Sequence, residues 1–115
     1  VGLVLWIDQN KVSTILLEKV FKNRGLGFYV LSSVNDFAYL IKELNPSVIV
    51  VDAQTAIKDL DIFRSQYEQT EGFWNVPVIV LNFSPELQFI KNLAGEIKHP
   101  IDPFSIPDQL NKMTM

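Results

Sequence analysis

Cysteine is absent from the 115 residues and histidine occurs once, at His99. The first absence excludes disulfides and thiolate metal sites, and the second excludes a histidine-rich one. Positive charge is not in excess either: ten Lys and Arg face thirteen Asp and Glu, for a net charge of −3. The basic footprint that neutralises a nucleic-acid backbone is therefore missing, and no nucleic-acid partner is expected. No apolar run approaches the roughly 18–20 residues of a membrane span, so no membrane partner is expected. The first residues run straight into an apolar strand, without a basic stretch and a cleavable apolar one, which gives the expectation of a cytoplasmic protein. After that strand stands Gln9-Asn10-Lys11 where a glycine-rich phosphate loop would lie, which argues against a flavin- or nucleotide-binding protein.

What is present is an ordinary globular balance, 48% hydrophobic and 20% charged, in a length that suits a single domain over residues 1–115. Apolar runs and helical stripes alternate along it. Leu3 to Asp8 reads as a strand, and Val12, Ile15, Leu16 and Val20 then recur at helical spacing, predicting a helix over about 11–22. Gly25 and Gly27 end that helix and permit a turn into a second strand, Phe28–Leu31. Ser33 reads as the cap of a second helix with the stripe Phe37, Leu40, Ile41 and Leu44, closed by Asn45-Pro46. The third strand is Val48–Val51 and delivers Asp52; a loop over 53–58 then leads to a third helix carrying Ile62, Phe63 and Tyr67. A fourth strand over 76–81 precedes Ser84-Pro85-Glu86, which reads as a cap and first-turn proline opening a fourth helix to about Leu93. A short fifth strand around 96–99 and a last helix from Ser105 complete the chain.

Strict alternation of this kind predicts an α/β fold, a doubly wound five-stranded parallel sheet with helices on both faces; right-handed crossovers leave few topologies, and the flavodoxin-like order 2-1-3-4-5 is the one expected, since it puts its switch point where two acids stand. In such sheets ligand sites gather beyond the carboxyl ends of the strands at the switch point, here between strands 1 and 3. Asp8 and Asp52 end those two strands, and their pocket is where chemistry is concentrated. Each acid also has a plainer use. Asp8 can cap the first helix and Asp52 can cap a turn. Trp6 is expected under a helix, Phe104 as a core anchor, and Phe73 and Trp74 in the loop before the fourth strand.

Ile7-Asp8-Gln9-Asn10, Val51-Asp52, Val76-Pro77-Val78-Ile79-Val80-Leu81-Asn82 and Ile101-Asp102-Pro103-Phe104 occur in the order and nearly the spacing of a CheY-like receiver domain of two-component response regulators. The chain resembles that family over essentially its whole length. The resemblance implies that Asp52 holds the phosphoacceptor position and that Asp8, with Asp52, would contact a Mg²⁺ ion. It implies a histidine kinase as one partner. A protein partner or homodimer would meet the face of helix 4, strand 5 and helix 5, where Leu87, Phe89, Ile90, Leu93 and Ala94 widen the apolar surface.

The departures from the family pattern carry the functional expectation. Gln9 stands for the second acid of the pair, Asn82 for the hydroxyl residue that senses the phosphoryl group, and Asp102 for the lysine that neutralises it. His99 falls at the aromatic switch position. Phosphoryl transfer depends on positioning and charge neutralisation, so an amide for an acid weakens Mg²⁺ binding and an acid for a lysine inverts the sign of a key contact. If Asp8, Asp52 and Asp102 converge, each opposes further negative charge. The expectation is a degenerate receiver, a pseudo-receiver, not an enzyme, with weak or no phosphorylation of Asp52. A phosphorylatable receiver is the alternative.

Overall fold

The computed structural model describes residues 2–70 and 75–114. Phe73 and Trp74 lie outside the described residues. Five parallel strands, β1 (Leu3–Ile7), β2 (Gly27–Leu31), β3 (Val48–Asp52), β4 (Val78–Leu81) and β5 (Leu93–Ile97), form one sheet of order β2-β1-β3-β4-β5. The helices are α1 (Lys11–Asn23), α2 (Phe37–Leu44), α3 (Ala53–Lys58), α4 (Leu60–Gln69) and α5 (Ile106–Thr114). Among the described residues, no helix is long and apolar enough to cross a membrane.

The continuous apolar strands are explained by burial on both faces. Side chains alternate across a strand, so Val4 and Trp6 of β1 point to one face and Leu5 and Ile7 to the other. The first face packs Val4, Trp6, Val48, Val50, Ile79 and Leu81 against Leu17 and Phe21 of α1 and Ile106 and Leu110 of α5. The second packs Leu5, Ile7, Ile49, Val51, Val78 and Val80 against Phe37 and Ile41 of α2, Ala53 and Ala56 of α3, and Phe63 and Tyr67 of α4. Trp6 is fully buried and meets Phe28 at 5.7 Å, as Phe21 does at 4.8 Å.

Four local expectations are corrected. In α1 the buried line is Thr14, Leu17, Val20 and Phe21, while Val12 (82% exposed), Ile15 and Leu16 face outward. Both lines satisfy helical spacing, and the one bearing Phe21 docks because its ring stacks on Phe28. α2 starts only at Phe37: Ser33 Oγ accepts from the Asn35 N–H at 3.3 Å and holds a turn ahead of the helix. Residues 53–58 form the helix α3, directly capped by Asp52, and α4 follows after a break at Asp59. Phe104 is 68% exposed and anchors no core.

The largest correction concerns the fourth predicted helix. Only a 3₁₀ turn, Pro85–Leu87, stands there, and β5 begins at Leu93, where that helix was expected to end. Side chains hold this connection in place of helical hydrogen bonds. The Tyr67 hydroxyl accepts from the Lys91 N–H and donates to Asn92 Oδ1, both at 2.7 Å, and Asn92 Nδ2 donates to the Val76 carbonyl. Leu87 and Ile90 still reach the core, but Leu93 and Ala94 lie exposed on the edge strand β5. The helical face proposed for partner contact is therefore not formed.

Candidate functional site

Asp8 follows β1 and Asp52 closes β3, the two strands being hydrogen-bonded neighbours with Ile7 beside Val51. Their carboxylates therefore emerge side by side at the carboxyl edge of the sheet, 4% and 6% exposed. Asp8 does not cap α1. That role belongs to Asn10, whose Oδ1 accepts from the Val12 and Ser13 N–H groups at 3.2 and 3.3 Å. Asp8 instead caps the turn before it: Oδ1 accepts from the Asn10 N–H at 2.9 Å and Oδ2 from Trp6 Nε1 at 3.4 Å.

Burial pushes the Asp8 carboxyl above its ordinary value, and the neighbouring Asp52 charge pushes the same way. The Asn10 N–H, the Trp6 indole and His99 pull against that rise. Asp52 Oδ2 accepts twice from one residue, from the Thr55 N–H at 3.0 Å and from Thr55 Oγ1 at 2.9 Å. Thr55, 3% exposed, in turn accepts the Gln9 N–H on the same hydroxyl oxygen at 3.0 Å.

The other residues singled out in the sequence divide. Gln9 contributes its backbone N–H, and its side chain belongs to an exposed residue. Asn82 takes a left-handed backbone, φ +55°, and its Oδ1 accepts from the His99 N–H at 3.0 Å. β5 ends at Ile97, so His99 lies beyond the strand and not within it, at the head of a cis His99-Pro100 bond. Asp102 is exposed and spends its carboxylate on its own turn, accepting from the Phe104 N–H at 3.1 Å. Asp8 and Asp52 are buried, so Asp102 does not join them in the interior of the pocket. The convergence of three acids is therefore replaced by a pair of acids with a histidine near one of them. The reason is spacing: β5 ends at Ile97, earlier than the sequence suggested, so Asp102 falls five residues beyond the strand, in the turn that opens Pro103–Ser105.

Thr55, Asn10 and Trp6 were missed as site residues. Asp52-x-x-Thr55 is a helix-cap spacing that could have revealed the first, and it was overlooked because 53–58 read as a loop.

Asp8 and Asp52 are the residues that would hold a divalent cation here, and their carboxylates are already engaged by the protein. Mg²⁺ demands near-octahedral oxygen coordination. Among the described residues, no group of three or more acidic, histidine or cysteine side chains is placed to hold a metal. Three of the four carboxylate oxygens of Asp8 and Asp52 already accept protein hydrogen bonds.

By sequence, the chain matches no family model and no curated protein. By structure it is similar to a response regulator signal receiver domain from Bermanella marisrubri, with TM-score 0.75 and 16% identity over 97% of both chains. A response regulator from Desulfuromonas acetoxidans aligns with TM-score 0.77 and 14% identity, over 97% of this chain and 95% of that one. An orphan response regulator of H. pylori aligns with TM-score 0.71 and 19% identity, over 99% and 97%. Identities this low speak for architecture: the five-stranded parallel sheet of order 2-1-3-4-5 seen here is the CheY-like fold of response regulator receiver domains.

Proposed function

We propose that this chain is a receiver-type signalling domain of the cytoplasm whose acid pocket runs no phosphorylation cycle, and that it acts by contact with a protein partner or a second copy, without catalytic turnover. One observation carries the reading: Asp8 and Asp52 are buried together at the strand ends, and none of the ion pairs among the described residues joins a lysine or arginine to either. A phosphoryl group on Asp52 would add charge beside a second buried carboxylate, in a place where transfer needs fixed positive charge at the equatorial oxygens. Gln9 in place of a second acid further weakens the metal that would help. The exposed apolar side chains on α1 and at Leu93 and Phe104 offer surface for contact.

Incubation with acetyl phosphate under conditions that label an intact receiver is expected to leave the mass unchanged. A gain of one phosphoryl group, absent in Asp52→Asn, would overturn the reading in favour of a phosphorylatable receiver served by a histidine kinase. That alternative draws on Asp52 Oδ1, the pair's one oxygen not already engaged in the bonds above.

A further inference from the structure

We infer that Thr55 is a positioning residue whose hydroxyl, in place of a divalent cation, ties the loop after β1 to the end of β3. The tie is a two-step relay across 46 residues of sequence: the Gln9 N–H donates to Thr55 Oγ1 at 3.0 Å, and Thr55 Oγ1–H donates to Asp52 Oδ2 at 2.9 Å. A hydroxyl can do both at once, since it carries one proton to give and lone pairs to accept with. Each link has a direction. The carboxylate can only accept, so the hydroxyl proton points to Asp52, and the oxygen is left to receive the backbone N–H.

The relay engages what a cation would otherwise use. Asp52 Oδ2 accepts from Thr55 twice, once from the hydroxyl and once from the backbone as the cap of α3. The Gln9 loop is drawn to β3 by its backbone, so the side chain at position 9 need not reach inward, and Gln9 is exposed. On the other strand Asp8 closes its own turn on the Asn10 N–H. The two acidic corners are thus assembled by hydrogen bonds among residues 8–10 and 52–55. Thr55 is 3% exposed, so water does not substitute for its hydroxyl at no cost. This assembly shares its pocket with the function proposed above but does not depend on whether Asp52 is phosphorylated.

The test compares the full chain with Thr55→Val, which keeps shape and removes the hydroxyl, and Thr55→Ser, which restores it. Amide hydrogen exchange at Gln9 and the thermal midpoint are read in EDTA and in excess MgCl₂. For the wild-type chain and Thr55→Ser, both readings are expected to be the same with and without Mg²⁺. In Thr55→Val the Gln9 amide is expected to exchange about tenfold faster, the loss of one part-buried hydrogen bond. The inference is overturned if Mg²⁺ produces saturable protection or a raised midpoint in the wild-type chain, or if Thr55→Val leaves Gln9 exchange unchanged. Should Thr55→Val fail to fold, the Mg²⁺ comparison on the wild-type chain and Thr55→Ser still decides. Labelling by acetyl phosphate with unchanged Mg²⁺ independence would overturn the proposed function and leave this inference standing.

Discussion

At Asp52 and Asp8 the same side-chain chemistry meets two different surroundings. Asp52 caps α3 through Oδ2, a task that asparagine performs about as well as aspartate. Asp52→Asn is therefore expected to hold stability within about 0.5 kcal/mol in urea unfolding, whereas Asp52→Ala costs about 1–2 kcal/mol. Equal losses for both would mean that the charge, and not the cap, is what the fold uses. Asp8 answers to burial. Its carboxyl is raised above 3.8 in the folded chain, so the folded state binds that proton more tightly than the unfolded one. Its contribution to stability is complete below the unfolded value and is lost as pH climbs through the raised folded value. Asp8→Asn keeps an oxygen for the Asn10 N–H and has no charge to bury. It is expected to unfold at higher urea than wild type at neutral pH, with the advantage vanishing in acid. A wild-type chain more stable than Asp8→Asn at neutral pH would contradict this. Both acids were legible in the sequence as the ends of apolar strands. Their hydrogen-bond partners were not: Thr55 was hidden by reading 53–58 as a loop instead of a capped helix, and Trp6 acts through a side-chain atom whose direction is set by tertiary packing.

Among the elements, the central strands β1, β3 and β4 were read most faithfully, because burial on both faces leaves an uninterrupted apolar run that no helix stripe imitates; the exposed edge strand β5 lacks that run, and its bounds were misplaced. The helices were harder. α1 has two apolar lines one residue apart, and periodicity cannot choose between them. Packing chooses: Leu17→Ala is expected to cost about 2–5 kcal/mol, while Val12→Ala stays within about 0.5 kcal/mol. Thermal unfolding of the pair measures this directly, and a large loss at Val12 would mean that α1 docks by its other face. The connection from β4 to β5 was misread for a different reason. Its opening Ser84-Pro85-Glu86 is a sound helix start, but the Tyr67 hydroxyl, 24 residues away from Lys91, claims the backbone that a second helical turn would need. A long-range hydrogen bond leaves no trace in a local pattern.

For the molecule as a whole, two apolar layers share one sheet, so neither face can be lost without exposing the other. Unfolding in urea is expected to be a single transition, coincident by far-ultraviolet circular dichroism and tryptophan fluorescence. Separate midpoints would mean that the layers with α1 and α5 and with α2 to α4 come apart independently. The Cα radius of gyration, 12.8 Å, agrees with the about 13 Å expected of a compact chain this long. What the sequence alone determined is the alternation, the parallel sheet and the two strand-end acids, because each follows from local periodicity and from the geometry of crossovers. Only the tertiary structure decided which charges meet there. It turned Asp102 outward, brought His99 near Asp8 and set Thr55 between Gln9 and Asp52. The reason is that electrostatic and hydrogen-bond partners are chosen by distances in space, and the position where β5 stops shifts those distances without altering any pattern that neighbouring residues display.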